Sequence, residues 1–216
     1  MPPSKRIKIK KNNENQSSRY GIFFYLGIGA FLTGLLLLLF IFYPIAREEF
    51  RYTVRQAVND KSAIKPVDYG FGIVIPKIAA NAKVIANVDP FNQKTYQTAL
   101  TMGVAHAAGT AFPGHAGNTF IFAHSSVDWY TANRYNSVFY LLYKLEKGDE
   151  VDVYFEDKKF VYRVKEKKFV NPEEIFYLDP ITKDGGSTMT LMTCWPPGTS
   201  LKRLVVLTNL QTLPRE

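Results

Sequence analysis

The stretch Thr188-Met189-Thr190-Leu191-Met192-Thr193-Cys194-Trp195-Pro196-Pro197-Gly198 holds the only cysteine of the chain, and Arg203 follows it nine residues on. The residues up to Cys194 are β-branched or apolar and predict a strand. Pro196, Pro197 and Gly198 stop it, because proline cannot donate to a ladder and the trio punctuates a turn. Leu201 to Leu207 predicts a second strand with Arg203 inside it. A thiol thus sits at the mouth of one strand, and a guanidinium sits on the next, across a short turn. A thiol is a nucleophile that needs a base, while arginine brings a permanent charge and a planar fork of donors suited to a developing oxyanion. The alternative for a lone cysteine is a small buried hydrophobe.

The missing partner is a histidine, and the chain has three. His124 ends the apolar run Phe120-Ile121-Phe122-Ala123 and precedes the polar Ser125-Ser126, so it closes a strand as Cys194 does. His106 lies within a strand of small residues, and His115 lies in the loop Pro113-Gly114-His115-Ala116-Gly117. Position favours His124 as the acid/base, against the plainer role of a satisfied polar residue.

Outward from this core, residues 68–216 read as a run of short strands. Candidates are 71–78, 82–88, 103–110 and 118–124, then a hairpin of 150–156 with 159–169, then the two strands of the opening stretch. Asn92 to Leu100 predicts a short helix, and an aromatic-rich loop and helix fills Trp129 to Leu145. The connection from Asn171 to Gly186 either shapes a substrate groove or is a plain surface link. Many short strands at regular spacing make the chain mainly β, a closed barrel or a sandwich.

The N-terminal part is different. Residues 1–19 carry Lys5, Arg6, Lys8, Lys10, Lys11 and Arg19 against Glu14 alone, with Asn and Ser between, and predict a disordered basic cytoplasmic tail. Residues 20–46 hold no charge, and as a helix Gly21 to Ile45 would reach about 37 Å, enough to cross a hydrocarbon core of about 30 Å. Tyr20, Tyr25 and Tyr43 fit interfacial belts. The run is too long for a secretory signal, and Tyr43-Pro44-Ile45-Ala46 is a poor cleavage site, so it predicts a transmembrane anchor. The basic flank puts the N-terminus in the cytoplasm and the rest outside, with the tail against anionic membrane lipid. Residues 47–67 predict a juxtamembrane stalk or linker. Within it Phe50, Val54, Ala57 and Val58 share one helical face, as for a continuation of the anchor or a helix packed on the domain.

A net charge of +8 over 216 residues is densest in that tail, and later cations alternate with acids, so no nucleic-acid partner is expected. One cysteine excludes an intrachain disulfide, and an unpaired thiol on an exported domain is unusual.

Taken together, these residues resemble the sortase family of membrane-anchored cysteine transpeptidases. Thr190-Leu191-Met192-Thr193-Cys194 is similar to the family's TLxTC, Gly117-Asn118-Thr119-Phe120-Ile121-Phe122-Ala123-His124 to its strand ending in histidine, and Arg203-Leu204-Val205-Val206 to its arginine strand. Ile75-Pro76-Lys77-Ile78 and Gly103-Val104-Ala105-His106 fit as well. The resemblance spans about residues 70–209 and implies an eight-stranded closed β-barrel with short helices. It implies Cys194 as nucleophile, His124 as acid/base and Arg203 as oxyanion stabiliser, with His106 structural and His115 without a role; no set of acidic ligands matches a calcium site, so no cofactor or metal is carried over. Its implied partners are exported proteins with a Leu-Pro-x-Thr-Gly-like sorting signal and an amine acceptor, a cell-wall precursor or a pilin lysine. The turn Trp195-Pro196-Pro197-Gly198-Thr199 departs from the commonest housekeeping type, which leaves the subclass open. Rival readings are a papain-like hydrolase, which usually orders cysteine before histidine, a hydrolase using water as acceptor, and a non-catalytic anchored module.

Overall fold

A computed structural model describes residues 14–58, 64–125, 138–178 and 185–212. The chain divides into two compact units, Met1–Ala46 and Arg47–Glu216.

The described residues of the first unit lie within one long helix, α1 (Glu14–Val58). Its start at Glu14 corrects the expectation of disorder through residue 19, and the residues before Glu14 lie outside the described set. Within it Phe23–Tyr43 is long and apolar enough to cross a membrane, and its large side chains, such as Phe31 and Leu36, are exposed rather than packed. An apolar surface left bare in this way fits a single-pass anchor, because lipid rather than protein would cover it. The same helix runs on to Val58.

The second unit is a closed barrel of eight strands in the order β1-β2-β3-β4-β7-β8-β6-β5. These are β1 (Phe71–Ile75), β2 (Ala80–Val88), β3 (Val104–Ala107), β4 (Gly117–Phe122), β5 (Glu150–Phe155), β6 (Lys158–Val170), β7 (Ser187–Trp195) and β8 (Lys202–Thr212). β5 pairs back onto β1 and closes the ring. Two neighbouring pairs, β2–β3 and β4–β7, are parallel, and the rest are antiparallel. A parallel pair needs a crossover. The helix α2 (Gln93–Leu100) supplies the first, started by Asn92, whose side chain accepts from the Thr95 amide at 3.2 Å. The β5–β6 hairpin and its flanks supply the second.

Strand ends differ from the sequence expectation where proline and tertiary packing intervene. The first strand stops at Ile75 rather than residue 78, because Pro76 has no N–H for the ladder and opens a short 3-10 helix, Pro76–Ile78. The last strand runs to Thr212, five residues beyond the apolar stretch, since pairing with β6 carries polar residues along. The expected helix before residue 145 is a 3-10 helix, Tyr140–Lys144, whose Leu141 and Leu142 are buried, while residues 129–137 lie outside the described set. Another 3-10 helix, Ile175–Leu178, interrupts the β6–β7 connection. The core is filled by Ile73, Ile75, Phe120, Val153, Tyr162 and Leu191 with their neighbours, all but inaccessible to water. Gly103 marks a close approach: a Cβ there would lie 2.3 Å from the Lys83 carbonyl oxygen, so only glycine lets α2 hand over to β3 at this point.

Candidate active site

β7 has β4 on one side and β8 on the other; Cys194 and Arg203 lie on β7 and β8, while β4 ends at Phe122 rather than residue 124 and leaves His124 two residues beyond it. On the β8 side Cys194 and Arg203 stand directly opposite each other in the ladder, and paired residues project to the same face of a sheet. On the β4 side the parallel register runs from Gly117↔Ser187 to Phe122↔Met192. Past the end of β4 it is carried on by the Ala123 amide, which donates to the Met192 carbonyl at 3.1 Å. The Thr193 hydroxyl also donates to the Ala123 carbonyl at 2.8 Å. Continued by two residues beyond Phe122↔Met192, that register would set His124 opposite Cys194. All three residues are half-buried, open to solvent yet partly fixed. Arg203 Nη1 donates to the Ser200 carbonyl at 3.2 Å and the Lys202 carbonyl at 3.3 Å, so the turn after Pro196 and Pro197 braces the guanidinium.

Side-chain alternation puts Asn118, Phe120 and Phe122 of β4 on the face shared by Thr188, Thr190 and Met192 of β7. This face leads along the sheet toward Cys194. Tyr96 of α2 meets Phe122 edge to face at 6.3 Å. Asn118 anchors the other flank. Its Oδ1 accepts from the Thr190 hydroxyl at 2.9 Å, and its Nδ2 donates to the Tyr177 carbonyl at 2.9 Å in the Ile175–Leu178 helix. The amide supplies an acceptor and a donor on separate atoms, one for each partner. Asn118→Asp keeps the acceptor but sets a carboxylate oxygen against the Tyr177 carbonyl. We expect it to cost about 1–3 kcal/mol of stability and to speed amide hydrogen exchange of residues 175–178. Wild-type melting and exchange would refute the clamp. Ile175 and Phe176 on that helix are exposed, as a groove wall would be.

His106 is far from free to act. It is wholly buried, stacks on Phe112 at 4.8 Å, and is held at both ring nitrogens. The Asn87 amide donates to Nδ1 at 3.3 Å. Nε2–H faces the Thr110 hydroxyl at 2.9 Å and the Ala111 carbonyl at 3.1 Å, and that hydroxyl spends its own proton on the Ala107 carbonyl. A second ring proton would confront the Asn87 N–H, and burial holds the imidazole below its ordinary 6.5 despite the Ala111 carbonyl. The native state therefore excludes a proton that the unfolded chain accepts, so stability falls as pH drops below about 6.5. The slope from this one group is at most about 1.4 kcal/mol per pH unit. Melting His106→Gln beside the wild type from pH 7.5 to 5.5 checks it: the wild type's advantage should shrink toward acid. His115 lies exposed in a turn, its amide donating to the Phe112 carbonyl at 3.2 Å. Among the described residues no group of three or more His, Cys, Asp or Glu side chains converges as metal ligands would.

Sequence periodicity had no means of finding Asn118, whose partners are 72 and 59 positions away, although its place in the strand ending at His124 marks it. The contacts that join Tyr143 to Trp195 and to Glu49 left no local trace at all.

Known proteins share this architecture. The sortase domain family matches residues 73–211. A curated relative, Sortase SrtE1 of Streptomyces coelicolor, is 34% identical over 104 residues, which span 45% of this chain and 28% of that protein's length. Among solved structures, a sortase D5 transpeptidase of Clostridium perfringens is 27% identical with a TM-score of 0.53, over 77% of this chain and 93% of that one. Sortase C-1 of Actinomyces oris is 25% identical with a TM-score of 0.56, over 78% and 99%. With a family match over more than half its length and the barrel those structures share, the chain belongs to the sortase family of cysteine transpeptidases.

Proposed function

We propose that the chain is a single-pass membrane enzyme that cleaves a Leu-Pro-x-Thr-Gly-like sorting signal near the C-terminus of an exported protein and passes the acyl group to an amine. The observation that supports it is the pairing of Cys194 with Arg203 on β7 and β8, beside the β4 register that leads toward His124. Residues 1–19 stay in the cytoplasm, 20–46 span, 47–67 link, and 68–216 act outside the cell membrane.

In the first step Cys194 Sγ, as thiolate beside an imidazolium, attacks the Thr carbonyl carbon of the signal. The carbonyl oxygen gains negative charge, which Arg203 meets with fixed donors. The C–N bond to glycine breaks, His124 gives its proton to the departing amine, and a thioester remains on Cys194. In the second step an amine of a cell-wall precursor or a pilin lysine attacks the thioester. His124 takes the amine's proton, and the thiolate leaves. A thioester suits a wait between substrates because amines attack it readily. An anchor that confines enzyme, exported substrate and a lipid-linked acceptor to one surface raises their effective concentration.

The test incubates the full chain in detergent or lipid nanodiscs with a set of sorting-signal peptides and weighs the protein. A mass increase equal to the acyl fragment, discharged by hydroxylamine, supports the proposal. No adduct with any peptide, or one elsewhere than Cys194, sinks it.

A further inference from the structure

The residue after the thiol is held from an unexpected direction. Trp195 ends β7, paired with Lys202 of β8, and alternation turns its ring to the face opposite Cys194. Pro196 and Pro197 follow, and neither has an N–H to carry the ladder further. The backbone at Cys194–Trp195 is thus a ladder end that pairing alone would let fray. Two rings secure it instead, Phe169 at 5.1 Å and Tyr143 at 5.2 Å from the Trp195 ring.

Tyr143 is itself clamped. From β6, Lys167 Nζ donates to the carbonyls of Tyr143 and Leu145. The Tyr143 hydroxyl donates to Glu49 Oε1, on the part of α1 that belongs to the barrel unit. The other oxygen of Glu49 pairs with Lys144 Nζ at 3.3 Å. That ammonium lies 4.9 Å from the Tyr143 ring centroid and 5.3 Å from that of Tyr52, one turn after Glu49. Burial, and next the Glu49 carboxylate, push the Tyr143 hydroxyl up to about 12, with Lys144 opposing, so it remains a donor at any working pH. A continuous set of contacts runs from the helix through Tyr143 and Trp195 to the peptide bond of the cysteine.

We infer that Glu49, Tyr143 and Trp195 are positioning residues for the Cys194 thiol, which makes the Glu49–Tyr52 turn of α1 a working part of the catalytic unit rather than a passive stalk. The inference rests on Cys194 acting as the nucleophile, as proposed above. It predicts that loosening the helix contact changes the reactivity of a sulfur that none of these side chains needs to touch. Removing one hydroxyl or one carboxylate from such a chain should lower that reactivity about three- to tenfold.

The experiment uses the full chain in lipid nanodiscs as wild type, Tyr143→Phe, Glu49→Ala and Glu49→Gln. Each is read three ways: alkylation rate by iodoacetamide across a pH series, acyl-enzyme formation with a sorting peptide, and thermal midpoint. The single cysteine makes alkylation unambiguous. Y143F and E49A should alkylate and acylate three- to tenfold more slowly. E49Q, whose amide oxygen still accepts the tyrosine proton, should recover part of that loss. Alkylation profiles that match wild type in Y143F and E49A, whatever the melting temperatures do, overturn the inference. A wild type that forms no acyl-enzyme, with alkylation still slowed in Y143F, sinks the transpeptidase proposal and leaves the positioning role standing.

Discussion

Replacing Cys194 with alanine should abolish covalent capture of any sorting peptide, with no adduct visible by intact mass, while the barrel melts within about 1 kcal/mol of wild type. The thiol is half-buried at the end of β7, so its loss leaves no deep cavity. His124→Ala should keep the nucleophile but lose the proton donor to the leaving amine, slowing acylation about a hundred- to ten-thousandfold. The pair discriminates between roles. A silent C194A with a weakly active H124A fits nucleophile and acid/base. Equal residual activity in both would mean that the chemistry lies elsewhere on the barrel.

Arg203→Lys should cost about a hundred- to thousandfold in kcat/KM, the range typical for losing one oxyanion donor, although the charge is kept. The guanidinium is a rigid fork, and the carbonyls of Ser200 and Lys202 already hold one of its nitrogens, which aims the rest. A lysine ammonium is a compact charge on a flexible stem and inherits neither the fork nor the brace. If the donor acts on the transition state, the loss should appear in kcat with KM little moved. Turnover by Arg203→Lys at the wild-type rate would remove Arg203 from the chemistry and reduce it to a surface cation beside the turn.

Much of this architecture was legible in the residues. The alternation of short apolar runs with turn residues marked the strands, and a histidine and a cysteine closing apolar runs, with an arginine on the next strand, pointed to the candidate site. What escaped was set by tertiary contact. Pro76 converts the end of an apolar run into a 3-10 turn, although Ile78 continues the hydrophobic pattern. β8 outruns its apolar stretch because β6 supplies partners for Thr208, Asn209, Leu210 and Thr212. The bond from Tyr143 to Glu49 joins residues 94 positions apart, and no periodicity records such a meeting. The helical face Phe50, Val54, Ala57 and Val58 pointed to a packed helix or a stalk. The helix does pack, but through Glu49 and Tyr52, while Phe50 and Val54 stay exposed.

The ring of strands has one more consequence. Every strand of the closed barrel has a strand neighbour on both flanks, so none of them is an edge strand along its whole length. An extended peptide arriving at this surface finds no full-length edge strand to join by strand addition. It must be gripped by side chains standing up from the sheet and by the turns at its rim, which makes selectivity a property of those few projecting groups and leaves the scaffold beneath indifferent to what is bound.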